Sequence, residues 1–188
     1  MKKATLLLML LLTLAFSCKR SEKPASGERD GDSDRQEGKK SAQAATGSDV
    51  GSIMPEYAAM WLDGSKFDLA SKRDKVVLLN VWATWCGPCR YEIPELQAIH
   101  NKYAPKGFEV IGVSVDESGV EPVKQFVDQQ KMTYPVALDA EGKLANMLQT
   151  SVLPTSVILD RSGKIVWKKF GAIMPNDPEL TKAIEAAL

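Results

Sequence analysis

The chain contains a single histidine, His100, and three cysteines in 188 residues. A structural zinc site normally takes four nitrogen or sulfur ligands, and here Cys86 and Cys89 stand alone without a second pair to complete them. No metal or other cofactor is therefore expected. Excess charge of either sign is also missing, because 24 Lys and Arg residues balance 24 Asp and Glu residues. Nucleic-acid binding is not expected, since it needs a basic face to neutralise phosphates. No run is long enough to be read as a permanent transmembrane helix: the apolar segment Ala4 to Phe16 falls short of the about 17 to 25 residues that cross a bilayer. Three cysteines cannot all pair within one chain, so one of them has separate work, and Cys18 is the candidate.

What the short apolar segment does resemble is an export signal. Lys2 and Lys3 precede it, and Leu14-Ala15-Phe16-Ser17 leads directly to Cys18. A cysteine directly after such a cut resembles the bacterial lipoprotein signal, which implies that Cys18 is lipidated and holds the protein at a lipid bilayer. Residues 19–50 then lack aromatic side chains altogether and are rich in Lys, Arg, Asp, Glu, Ser and Gly. Such a segment cannot bury enough apolar surface to offset its ordering entropy. It is expected to be a disordered tether, spanning roughly 30 Å as a flexible coil. The domain organisation read from sequence is a signal segment over 1–18, a tether over 19–50 and one folded domain over 51–188.

Within the domain, everything is arranged around Trp85-Cys86-Gly87-Pro88-Cys89. The stretch follows the run Val76 to Trp82, apolar but for Asn80 and expected as a buried central strand, and precedes the helical spacing Ile93, Leu96, Ile99, Tyr103. A thiol at a helix N-terminus meets the positive end of the peptide dipoles, which stabilises its thiolate near neutral pH. Two thiols spaced C-x-x-C beside a βαβ pattern read as a redox pair. Around this core the sequence predicts a hairpin at Asp63-Gly64, a helix over 89–103 kinked by Pro94, and a strand over 108–115. A helix over 121–130, a strand over 134–138 and a short helix over 143–148 follow. The chain closes with an antiparallel pair, 156–159 and 165–170, and a helix over 178–188. Alternating strands and helices ending in a hairpin and helix make an α/β sandwich of three layers with a mixed sheet. His100 is expected to be an ordinary helix-surface residue.

The Trp-Cys-Gly-Pro-Cys stretch, Pro154 and the Glu92-Ile93-Pro94 run resemble the thioredoxin superfamily, in its TlpA- and ResA-like membrane-tethered branch, over about residues 55–188. The resemblance implies a thioredoxin fold carrying an extra strand-helix insertion at about residues 108–135. It implies that Cys86 is the attacking thiolate and Cys89 the resolving thiol, joined as a disulfide when oxidised. Gly87 and Pro88 shape the turn between them, and Trp85 faces the substrate. Pro154 corresponds to the family's cis-proline, with the backbone of Leu153 available to a substrate strand. Thioredoxin keeps a buried Asp six residues before its first cysteine, where this chain has Asn80; the resemblance points to Glu92 as the acid that replaces it.

Together these readings predict an exported, lipid-anchored thiol-disulfide oxidoreductase of the cell envelope, facing the periplasm or extracytoplasmic space. Its partners would be disulfide-bearing envelope proteins, with apocytochrome c a plausible client by analogy and a role in cytochrome c biogenesis. A membrane electron donor of the DsbD or CcdA type would re-reduce it. Gly-Pro between the cysteines resembles thioredoxin, whose potential of about −270 mV favours reduction. Two other readings compete. A peroxiredoxin-like thiol peroxidase shares the fold, but it sets its cysteine in Thr-x-x-Cys, and Thr84 is one position too close. A non-enzymatic module could instead sense redox state or hold a partner through a stable mixed disulfide.

Overall fold

The computed structural model describes residues 45–188. The expected signal segment, Cys18 and residues 19–44 of the tether lie outside the described residues. Strand β3 (Val76–Trp82) is apolar at every position except Asn80, and all seven of its residues are buried. Such a strand is stable only with partners on both edges and cover on both faces. It pairs in parallel with β4 (Phe108–Ser114), from Val76 opposite Phe108 to Trp82 opposite Ser114. On its other edge it pairs antiparallel with β6 (Thr155–Leu159). Beyond β4 come β5 (Val136–Leu138) and the hairpin of β1 (Ala58–Trp61) and β2 (Lys66–Asp68); beyond β6 comes β7 (Ile165–Phe170). The mixed sheet has the order β2-β1-β5-β4-β3-β6-β7.

Because strand side chains alternate between faces, the residues of β3 divide between two cores. Val76, Leu78 and Trp82 meet Leu96 and Tyr103 of α1 (Gly87–Tyr103), Val123 of α2 (Val120–Gln130) and Ile184 of α4 (Pro178–Ala187). Val77, Leu79 and Val81 meet Met54, Phe67 and Leu144, the last from α3 (Lys143–Met147). Helices cover both faces, giving the three-layer α/β/α sandwich that the sequence predicts. The unit expected over about 108–135 consists of β4 and α2.

Three local features differ from expectation, each for a physical reason. Helix α1 starts at Gly87, two residues before the expected Cys89, because Pro88 fits the first helical turn; it runs on through Pro94, its inward face held by the buried Cys89, Ile93, Leu96 and Tyr103. Strand β5 starts at Val136 and not at Tyr134, since Pro135 has no N–H for a ladder and contributes only its carbonyl, which accepts from Gly112 N at 2.9 Å. The folded domain also reaches into the last residues of the expected tether. Thr46 bridges Ile53, Gly51 N donates to Ile165 O at 2.7 Å, and Lys168 Nζ donates to Ser48 O at 3.0 Å and Leu148 O at 2.8 Å.

Gly112 marks the tightest backbone approach in the central sheet. A Cβ there would stand 2.9 Å from Trp82 Nε1 and 3.3 Å from the ring of Tyr134. Gly112→Ala should destabilise the domain by about 1 to 3 kcal/mol through overpacking, read as a lower urea midpoint with unchanged m-value.

Candidate active site

The redox loop is built where β3 ends and α1 begins. Cys86 N donates to Ala83 O at 3.1 Å, closing a turn over Ala83–Cys86. Cys86 is extended and caps α1, its sulfur accepting from Cys89 N at 3.2 Å. Gly87 and Pro88 occupy the first helical turn, where proline's missing N–H costs nothing. Cys86 and Cys89 are joined by a disulfide with a Cα–Cα separation of 5.3 Å. Both cysteines are buried, Cys86 at 6% exposure and Cys89 at 1%, so Cys86 is the more accessible of the two. Trp85, by contrast, is 70% exposed beside the disulfide.

Glu92 lies one helical turn past Cys89 and is 1% exposed. A charged carboxylate there loses almost all its hydration, and burial pushes its pKa up to about 7. Hydrogen bonds from Ile173 N to Oε2 and from Asn80 Nδ2 to Oε1, both 2.7 Å, and the charge of Lys169 oppose that rise. Asn80 Nδ2 also donates to Ser156 Oγ at 3.0 Å. A glutamate near a helix N-terminus is most often a solvated partner of the helix dipole; this one, in the second turn of α1, is a buried acid whose pKa lies near neutrality. Burial of Tyr134 itself, and after it the negative charge of Glu92, raise the pKa of the Tyr134 hydroxyl.

The Leu153–Pro154 peptide is cis. Its loop is held by Thr150 and Thr155, with Thr155 Oγ1 donating to Val152 O at 2.7 Å, and Gly171 N donates to Pro154 O at 2.8 Å. Leu153 and Trp85 line one groove of about 300 Å³, together with Thr150, Ser151 and Glu117. No cluster of His, Cys, Asp or Glu that could hold a metal occurs among the described residues. Cys86, Cys89 and Glu92 thus share the start of α1, while Trp85 and Leu153 line the same groove. Sequence reading missed Ser156 and Ile173, which complete the setting of Asn80 and Glu92. It also missed Asp116, whose carboxylate accepts from Thr84 N at 2.9 Å and Thr84 Oγ1 at 2.6 Å. For Asp116 a signal existed, a carboxylate two residues past the end of a buried strand.

With this geometry in place, comparison with known proteins decides the family. Residues 50–168 match the AhpC/TSA family. The chain belongs to that family. Within it, the chain is 38% identical over 122 residues to the thiol-disulfide oxidoreductase ResA of Bacillus cereus, covering 65% of this chain and 70% of ResA. Among solved structures, a Chlorobium tepidum protein assigned as thiol:disulfide interchange protein DsbE is similar at 30% identity, with a TM-score of 0.67 over 77% of this chain and 99% of that one. A secreted thiol-disulfide isomerase of Corynebacterium glutamicum aligns at 26% identity and a TM-score of 0.63, over 72% of this chain and 83% of that one. The chain is a ResA-like member of the thioredoxin superfamily, and its Cys86–Cys89 pair makes it a thioredoxin-like disulfide reductase.

The raised pKa of Glu92 has a thermodynamic sign. Between the ordinary carboxyl value of 4.5 and about 7, the folded state keeps a proton that the unfolded state has released, so stability falls as pH rises through that window. A shift of this size corresponds to about 3 kcal/mol. Urea unfolding of the oxidised protein from pH 4.5 to 8 should show that decline, and Glu92→Gln should flatten it.

Proposed function

We propose that this reductase works outside the cytoplasm, held to a membrane through a lipidated Cys18, and reduces disulfides of envelope proteins. The observation that carries the chemistry is a redox pair at a helix N-terminus with a buried acid one turn behind it, titrating near neutral pH. In the reduced enzyme the Cys86 thiolate attacks one sulfur of the client's disulfide. The S–S bond breaks, one client sulfur leaves as a thiolate, and Cys86 holds the other in a mixed disulfide. Cys89 gives its proton to the Glu92 carboxylate and attacks Cys86 Sγ, releasing the second client thiolate and forming the Cys86–Cys89 disulfide. Glu92 then passes the proton to the departing client thiolate, which leaves as a thiol. Two electrons pass from the enzyme to the client. A dithiol on a membrane donor of the DsbD or CcdA type restores the pair. Trp85 and the backbone of Leu153, which line one groove, receive the client segment that carries the disulfide, beside Pro154. Export is supported by the signal-like sequence over 1–18 and by likeness to a secreted isomerase.

Steady-state reduction of a disulfide-bearing peptide by the native protein tests the reading, with peroxide as a control substrate. Turnover of the peptide without peroxide consumption is expected; peroxide turnover would instead establish a peroxidase, and a single stoichiometric capture without turnover would establish a holding module. Cys89→Ala should stop after one mixed disulfide. Glu92→Gln should slow turnover by about 10²- to 10⁴-fold, the usual contribution of a positioned acid or base, and remove the inflection near pH 7.

The anchoring is tested separately. Mass spectrometry of the membrane fraction should find a diacylglyceryl group on Cys18, and an unmodified soluble protein would overturn the lipid anchor.

A further inference from the structure

Asp116 is a buried carboxylate beside the redox loop that the exchange chemistry leaves without a part. Its position follows from the sheet. Parallel pairing sets Trp82 opposite Ser114, and Val115 N donates to Trp82 O at 2.9 Å, carrying the ladder one step past the strands. The same register brings Asp116, 2% exposed, beside Thr84. There Oδ2 accepts from Thr84 N at 2.9 Å and from Ser114 Oγ at 2.6 Å, while Oδ1 accepts from Thr84 Oγ1 at 2.6 Å. The N–H of Asp116 itself donates to Ser114 Oγ at 3.1 Å. Thr84 is the second residue of the turn that ends at Cys86, and the exposed Trp85 lies between them.

We propose that Asp116 is a positioning residue for the redox loop: by gripping both the backbone and the hydroxyl of Thr84, it fixes where Trp85 stands and how Cys86 Sγ meets the N-terminus of α1. The proposal rests on Cys86 being the attacking thiol. Two routes are open to a buried anion here, and their signs differ. Acting through its charge, it would raise the thiol pKa of Cys86 and make it a poorer nucleophile. Acting through geometry, it keeps the sulfur at the helix N-terminus, where Cys89 N points at it, and thereby lowers that pKa. The donors gathered on the carboxylate all belong to the loop or to its own strand, and the geometric route is the one that serves attack by Cys86.

The opposite signs make the test decisive. Thr84→Val removes the hydroxyl but leaves the charge of Asp116; Asp116→Asn removes the charge and keeps the size; Thr84→Ser keeps the hydroxyl bond. The Glu92 carboxyl, on the same helix, is unaltered in each. Two readouts are taken from the full chain: the pH midpoint for iodoacetamide alkylation of Cys86 in the reduced protein, and kcat/KM for reduction of a disulfide peptide. Thr84→Val and Asp116→Asn are each expected to raise the midpoint and lower kcat/KM about tenfold, the scale of one lost charge-assisted hydrogen bond, with Thr84→Ser close to the native values. A lower midpoint in Asp116→Asn with no change in Thr84→Val would overturn the proposal in favour of a charge effect. Lower melting temperatures with unchanged midpoint and kcat/KM would reduce Asp116 to scaffold. Should Asp116→Asn fail to fold, the two Thr84 variants decide alone. If the native protein does not reduce the peptide at all, the reductase reading fails, while the alkylation midpoints still decide the part played by Asp116.

Discussion

The parallel ladder between β3 and β4 is the constraint on which the rest of the molecule depends. It is the longest pairing in the sheet, and it lies at the centre, where a slip of one residue would turn every side chain of β3 to the opposite face. Its register sets Cys86 just beyond the edge of the sheet and Asp116 beside Thr84. It also points Asn80 toward α1, the one polar side chain of β3. Helix α1 can begin only where this ladder stops, so the position of the disulfide is inherited from strand pairing more than from the loop that holds it.

From that arrangement comes the electrostatic character of the site. A carboxylic acid sealed between α1, β3 and the segment around Ile173 has only neutral donors in direct contact, Asn80 and a backbone N–H. Neither can neutralise it, so burial outweighs hydrogen bonding and the group stays protonated further up the pH scale than an ordinary carboxyl. An Asp on the strand would put the acid where Asn80 is; placing it on the helix puts the acid and Cys89 on one rigid element, and Asn80 then serves as a donor to that acid.

Much of this was legible in the sequence because the features involved are local. The apolar run of β3, the C-x-x-C spacing, the inward stripe of α1 and the Asp63-Gly64 hairpin all declare themselves within a few residues. Glu92 was legible only through the family resemblance, since the burial of this glutamate depends on Ile173, more than eighty residues away. His100 reads as a plain surface residue, yet its Nδ1 accepts from Val110 N at 3.3 Å, on the stretch of β4 that β5 is too short to pair. Burial also lowers its pKa. Asp116 and the docking of residues 45–53 escaped for the same reason: each depends on which strand lies alongside, and pairing is a property of the whole fold.

The way residues 51–54 lie along the start of β7 bears on how the enzyme meets its clients. A disulfide reductase encounters chains with exposed, extended segments, and an open sheet edge would accept such segments anywhere along its length. Here one rim ends in the three-residue β2, flanked by Lys66 and Asp68. The other is covered at its beginning by 51–54 and carries Lys168 and Lys169 along the remainder. With both rims closed in this way, the backbone beside Pro154 is, under the proposed function, the place left for an extended client segment to pair. Under that proposal, productive encounters are sorted from idle ones by denying the alternatives, before any side chain in the groove has been read.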